Sequence, residues 1–128
     1  MSILEHEVTI EGSMGTRRCL ALFDSGASYS IIRRDIAEQV ARLELLPDPE
    51  NWIFETAEAG RLVETRYRVT LNFQFADSRA HFSDEFVVFD KLSEELIVGA
   101  TTMQKWQIRL DFKAEEVIYR KTAVRLRV

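Results

Sequence analysis

The sequence predicts an all-β domain with a closed or sandwich-like arrangement of short strands and one short-to-medium helix. Three observations carry that expectation. Apolar residues alternate with polar ones at Leu4, His6, Val8 and Ile10, and again at Tyr67, Val69, Leu71, Phe73 and Phe75, which is the period of a strand with one buried face. Phe86-Val87-Val88-Phe89 is apolar throughout, as a strand covered on both sides requires. Helical spacing stands out once, at Ile32, Ile36, Val40 and Leu43, so one helix sits among many strands.

The elements follow in order. Residues 3–10 form a strand, Gly12-Ser13-Met14-Gly15 a turn, and residues 17–23 the returning arm of a hairpin that delivers Asp24 at its end. The helix carries Asp35 and Glu38 near its start, where acidic side chains suit the helix dipole. It is expected to end at Leu45-Leu46-Pro47-Asp48-Pro49, because a residue preceding proline is disfavoured in helical geometry. Trp52–Ala57 and Leu62–Phe75 flank Glu58-Ala59-Gly60 as a long hairpin with a glycine at its tip. A polar turn at 76–79 leads to the strand His81–Phe89. Leu96-Ile97-Val98-Gly99 precedes a short helical segment near Thr101–Lys105. Ile108–Phe112, Val117–Arg120 and Ala123–Val128 are the candidate closing strands.

At 128 residues the chain is expected to be a single domain, 1–128, with a small but real core. A net charge of −4 argues against a nucleic acid held by charge. The start, Met1-Ser-Ile-Leu-Glu-His-Glu, shows no basic region followed by an apolar one, and no apolar run reaches the ~18 residues of a membrane span. A cytoplasmic location without membrane contact is therefore expected. The one cysteine, Cys19, excludes an intrachain disulfide, and its strand neighbours place it in packing.

The chemistry gathers at Phe23-Asp24-Ser25-Gly26-Ala27-Ser28. Here one acidic residue ends an apolar strand, Cys19–Phe23, and enters a loop of very small side chains followed by Ile31 and Ile32. A carboxylate near packed core with limited solvent access needs a partner. One solution is a pair of carboxylates that share a proton, because two such groups a few Å apart cannot both ionise cheaply. One member then takes a proton from water and the other polarises an amide. The chain holds one such loop, so the second Asp24 would come from a second copy. Gly26 permits close approach and can turn a backbone N–H toward the carboxylate, while Ser25 offers a bracing hydroxyl and Ala27 leaves room for a substrate backbone.

These residues resemble the retropepsin-like aspartic proteases, the single-domain homodimeric class that includes retroviral proteases and bacterial relatives. Asp24-Ser25-Gly26-Ala27 matches the Asp-(Thr/Ser)-Gly-Ala signature, and Ser28-Tyr29-Ser30-Ile31-Ile32 continues in the same style. Leu96-Ile97-Val98-Gly99 matches the apolar-apolar-Gly element that lies beside the catalytic loop and precedes a short helix. The hairpin around Gly60 falls where that family has its substrate-covering flap, and the order fits over roughly residues 5–112. The resemblance implies a closed barrel-like acid-protease fold with a flap. It also implies Asp24 as catalytic carboxylate, Ser25, Gly26, Ala27 and Ser28 as its supporting loop, and Ile97, Val98 and Gly99 as the packing motif beneath. Ala59, Gly60 and Arg61 would close over an extended peptide by strand addition. A homodimer, a peptide or protein substrate and no metal or cofactor follow from the same likeness. Ser28 and Ala100 stand where retroviral members carry Asp and Arg, and their joint replacement resembles the bacterial branch. The tail, 113–128, either pairs between subunits, as retroviral termini do, or folds back on its own chain. Pocket walls could include Leu22, Ile31, Ile53, Phe54 and Ile97.

Other readings compete. Asp-Ser-Gly alone is common in turns. Gly26-Ala27-Ser28-Tyr29-Ser30 lacks the last glycine of a nucleophile elbow. His6, His81 and Cys19 give no metal-ligand spacing, and His81 is expected on a strand face. The main rival is a retropepsin-like dimerisation or peptide-binding module with little or no turnover, since fold does not imply function. A small ligand-binding barrel, with Asp24 as a polar anchor, would be monomeric.

Overall fold

The computed structural model describes residues 3–55 and 62–123. Strands β1 (Ile3–Gly12) and β2 (Gly15–Asp24) pair antiparallel from Ile3↔Asp24 to Gly12↔Gly15. The tip of this hairpin needs glycine, because a Cβ on Gly12 would lie 2.4 Å from the carbonyl oxygen of Val40. After the Asp24 loop come β3 (Ile31–Arg33), α1 (Arg34–Val40), β4 (Glu44–Leu45) and a 3-10 turn at Pro49–Asn51. The short arms β5 (Ile53–Glu55) and β6 (Leu62–Glu64) pair, and β7 (Tyr67–Gln74) and β8 (Phe82–Phe89) form the second long hairpin. The chain continues through β9 (Leu96–Val98), α2 (Ala100–Trp106), β10 (Arg109–Asp111) and β11 (Glu116–Ile118).

The main sheet runs β1-β2-β9-β3-β8-β7-β4, and pairing of β1 with β7 at Thr9↔Gln74 to Glu11↔Asn72 closes its first six strands into a barrel. Closure removes the two exposed edges an open sheet would present. The sequence expectation of a closed, mostly β fold holds. Inside, Phe23, Phe73, Phe75, Phe82 and Phe86 are fully buried with Ile10, Ile32, Ile36, Leu71 and Leu96. Their rings meet edge-on, tilted, as at Phe73–Phe82 with 5.3 Å between centroids, or stacked, as at Phe23–Phe75 with 5.6 Å. Each fully buried side chain of this size contributes about 1.5–3 kcal/mol of transfer free energy.

Three details differ from the sequence expectations. The helix stops at Val40, well before Pro47. Ile32, Ile36 and Val40 all reach the core, but Ile32 does so from β3, so the helical spacing spans two elements. Met14 N–H takes the Val40 carbonyl at 2.8 Å, and Ala41 is extended. The strand expected over 62–75 breaks at Thr65-Arg66. There Thr65 donates its hydroxyl to the Val88 carbonyl at 2.5 Å and its N–H to the Trp52 carbonyl at 3.2 Å. His81 is exposed and lies just before β8 instead of on it.

Residues 113–121 fold back on their own chain. The β10–β11 hairpin leads to Arg120 and Lys121, whose carbonyls accept the Ser78 hydroxyl at 2.7 Å and the Arg79 N–H at 2.9 Å. Tyr119 stacks on Phe75, centroids 3.6 Å apart, and its hydroxyl donates to Asp77. The expected strand Ala123–Val128 falls outside the described residues beyond Ala123, which is not in a strand.

Candidate active site

The site is built where β9 separates β2 from β3. β9 runs parallel to β2 (Leu22↔Ile97) and antiparallel to β3 (Ile31↔Ile97). The loop joining β2 to β3 must therefore cross the end of β9, and its residues lie against Gly99. Alternation along β2 sends Ala21 and Phe23 into the core and leaves Leu22 and Asp24 on the other face. On that face the paired row Leu22–Ile97–Ile31–Val87 crosses four strands. Ile97 and Val87 are 9% and 5% exposed, so an apolar floor leads up to the Asp24 carboxylate.

The loop is held from two sides. The Gly26 N–H donates to Asp24 Oδ1 at 2.8 Å, and the Ala27 N–H closes the turn on the Asp24 carbonyl at 3.2 Å. A Cβ on Gly26 would stand 3.2 Å from Asp24 Oδ1, so glycine keeps space beside the carboxylate. From the other side, the first turn of α2 captures the loop's carbonyls. Ala100 N–H donates to Ala27 O at 2.7 Å, and the Thr101 hydroxyl donates to Ser28 O at 2.6 Å. Beneath them the buried Ser30 hydroxyl accepts the Gly99 N–H at 3.0 Å and shares a 2.5 Å hydrogen bond with the Thr102 hydroxyl.

Asp24 and Ala27 are half-buried, whereas Ser25, Gly26, Ser28 and Tyr29 are exposed on the single chain. The limited solvent access expected of this loop is thus not met by the packing of the chain itself. Ile97, Val98 and Gly99 lie directly under the loop. Ala59, Gly60 and Arg61 lie outside the described residues. The arms of their hairpin are described, with Phe54 opposite Val63.

An aromatic cluster joins that hairpin to the loop, and sequence reasoning missed it. The Tyr29 ring meets Trp52 at 5.8 Å and Phe54 at 5.5 Å, and Phe54 meets Phe89 at 5.5 Å. Such separations are favourable for edge-on ring pairs. The available signal was a bulky aromatic in a loop of otherwise small residues. The Ser30–Thr102 pair was also missed; each is an unremarkable hydroxyl until the fold brings them together. Cys19, on the core face of β2, is 4% exposed, and burial first and the Glu95 carboxylate second push its thiol up to about 12. It is an inert packing residue. Among the described residues no three His, Cys, Asp or Glu side chains come together as metal ligands, and no helix is long and apolar enough to cross a membrane.

No protein-family model matches the sequence, and no curated protein matches it. The structure does match solved ones. Over 93% of this chain and 89% of the other, it is similar to the retroviral protease-like domain of Ddi1 from Leishmania major, with a TM-score of 0.60 and 19% identity. It is also similar to the EIAV protease complexed with the inhibitor HBY-793, with a TM-score of 0.58 and 18% identity over 84% of this chain and 91% of that one. The fold is that of the retroviral protease-like domains.

Proposed function

We propose that this chain is one half of a homodimeric aspartic endopeptidase, with Asp24 from each copy forming the catalytic pair. The observation that carries the reading is the Asp24 carboxylate itself. It sits at the end of a barrel strand, on the face of an apolar floor, with the Gly26 N–H directed to it at 2.8 Å. One Asp24 in the carboxylate form would take a proton from water as that water attacks the peptide carbonyl. The other, protonated, would polarise the carbonyl and later pass its proton toward the leaving amine. The Leu22–Ile97–Ile31–Val87 row offers apolar contact for side chains of an extended peptide, and the hairpin carrying Gly60 would add main-chain hydrogen bonds above it. Ser25 and Gly26 would brace the two loops against each other, Ala27 would leave room for the peptide backbone, and Ser28 with Ala100 would suit a member of the bacterial branch. No metal or cofactor is needed, and a cytoplasmic setting suits the free, buried Cys19.

The test compares wild type with Asp24→Asn on a diverse peptide library. The expected result is cleavage by wild type along a bell-shaped pH profile whose limbs belong to the pair, and a loss of ~10²–10⁴-fold or more in Asp24→Asn. Equal cleavage by both proteins would refute the catalytic assignment. The second reading, a peptide-binding dimer without turnover, draws on the likeness to a domain named protease-like rather than protease. It predicts peptide binding, a dimer and no cleavage by either protein.

A further inference from the structure

A concavity of about 410 Å³ lies between the polar turn that follows β7 and the chain that follows β11, lined by Arg79, Arg120, Thr122 and Ala123. We propose that it binds the phosphate group of a small molecule through the guanidiniums of Arg79 and Arg120 and the Thr122 hydroxyl. None of its lining residues belongs to the Asp24 loop, and the inference is independent of the catalytic reading.

The fold brings these charges together and leaves them uncompensated. Turn and tail are tied through their backbones: Ser78 donates its hydroxyl to the Arg120 carbonyl at 2.7 Å, and the Arg79 N–H donates to the Lys121 carbonyl at 2.9 Å. Ser78 is buried, and its hydroxyl also accepts the Ala80 N–H at 3.0 Å, so both arginines are fixed at their bases. The carboxylate of the turn, Asp77, is already engaged, since it accepts the Tyr119 hydroxyl and pairs with Lys121 Nζ at 3.1 Å. Tyr119 and Lys121 thus serve Asp77, while Arg120 and Thr122, which alternate with them, line the concavity. Among the described residues no carboxylate pairs with Arg79 or Arg120. Two like charges at one concavity repel, and a bound anion offsets that repulsion. The donor set selects the anion. Two guanidiniums match the charge of about −1.5 to −2 that a phosphate monoester carries at pH 7, and their planar forks suit its oxygens. A monocarboxylate would leave one positive charge unmatched. Arg120 Nε donates to Thr122 Oγ1 at 3.2 Å, so the Thr122 hydroxyl proton remains to be donated to a ligand oxygen. The volume falls in the range of small-molecule sites, roughly 300–1,000 Å³.

Isothermal titration calorimetry of the full chain with glycerol 2-phosphate, inorganic phosphate and acetate tests this, at matched ionic strength. The variants are Arg79→Gln, Arg120→Gln and, as a control for net charge, Arg42→Gln, which removes an exposed arginine just past α1. The expected result is one site per chain for a phosphate, with a Kd of about 1 mM or below. Binding should weaken ~10- to 100-fold in Arg79→Gln and in Arg120→Gln and stay at the wild-type level in Arg42→Gln. The bound phosphate should also raise the wild-type Tm, because it joins turn to tail only in the folded chain. Tighter binding of the ester assigns the pocket to a phosphate monoester, and equal or tighter binding of inorganic phosphate assigns it to the free ion; each supports the site. Melting curves without ligand verify folding. Should Arg120→Gln fail to fold, Arg79→Gln decides, since its backbone bond to Lys121 is kept. No phosphate binding to wild type at about 10 mM, acetate binding as tight as phosphate, binding unchanged in the arginine variants that fold, or an equal loss in Arg42→Gln would overturn the proposal.

Discussion

Gly99 and Tyr29 are in backbone contact: a Cβ on Gly99 would lie 2.5 Å from the Tyr29 carbonyl oxygen and 2.8 Å from that of Ala27. The strand beneath the Asp24 loop is therefore as close to it as two chains can pass, and the loop's height above the sheet is set by a missing methyl group. Gly99→Ala forces backbone to move, at a cost of about 1–3 kcal/mol, and lifts the segment that carries Asp24. Urea unfolding should show that loss together with reduced peptide cleavage. Gly26→Ala is the contrast. Its nearest neighbour is Asp24 Oδ1 at 3.2 Å, so it should lower cleavage while leaving the unfolding midpoint nearly unchanged. Equal stability for Gly99→Ala and wild type would show that the loop is not held by this contact.

Ser30 and Thr102 form the polar pin under the same loop. Ser30→Ala leaves the buried Gly99 N–H without its acceptor, which costs about 1–3 kcal/mol. Thr102→Val removes only the partner of a hydroxyl that still accepts from Gly99, and should cost less. Chemical denaturation of the two variants gives the order, and a reversed order would place the weight of the network on Thr102.

Much of this architecture was legible in the sequence because it is written in short-range patterns. Alternation marked β1, β7 and the burial of Val69, Leu71 and Phe73, and the unbroken apolar run marked β8 as a covered strand. The parts that were not legible depend on long-range neighbours. Ile32, Ile36 and Val40 share a spacing but not an element, because pairing of β3 with β8 claims Ile32. The break at Thr65 follows from a hydroxyl finding the Val88 carbonyl across the sheet. The Asp24 loop was visible as small residues after an apolar strand. The ring of Tyr29 against Phe54 was not, since those residues are far apart in the chain and Phe54 lies in the separate β5–β6 pair, outside the barrel sheet.

Cys19 sets a slope in alkali. Its thiol is pushed from 9.0 up to about 12 in the folded protein. Between those values the unfolded chain gives up the proton and the folded one keeps it, so the unfolded state binds fewer protons and stability falls as pH rises. One such group contributes up to ~1.4 kcal/mol per pH unit. Tyr119 acts in the same direction, its phenol pushed up by burial and by its hydrogen bond to Asp77. Cys19→Ala should be less stable than wild type near neutrality, from lost packing, yet lose stability less steeply between pH 9 and 11. Parallel slopes would show that the thiol ionises as readily folded as unfolded.

Tyr29 couples the loop to the hairpin. Its two ring contacts, with Trp52 and Phe54, contribute about 0.5–1.5 kcal/mol each. Removing them in Tyr29→Ala releases the β5–β6 arms from the loop five residues after Asp24, whereas Tyr29→Phe keeps both ring pairs. Amide exchange at Phe54 and Val63 should quicken by on the order of 5- to 100-fold in the alanine variant and stay near wild type in the phenylalanine one. If the hairpin covers a bound peptide, KM should rise in Tyr29→Ala more than kcat falls, because the carboxylate's own support from Gly26 and α2 is untouched. A fall in kcat alone would instead place Tyr29 in the geometry of the Asp24 loop, and unchanged exchange would mean that Phe89, which also holds Phe54, anchors the hairpin without it.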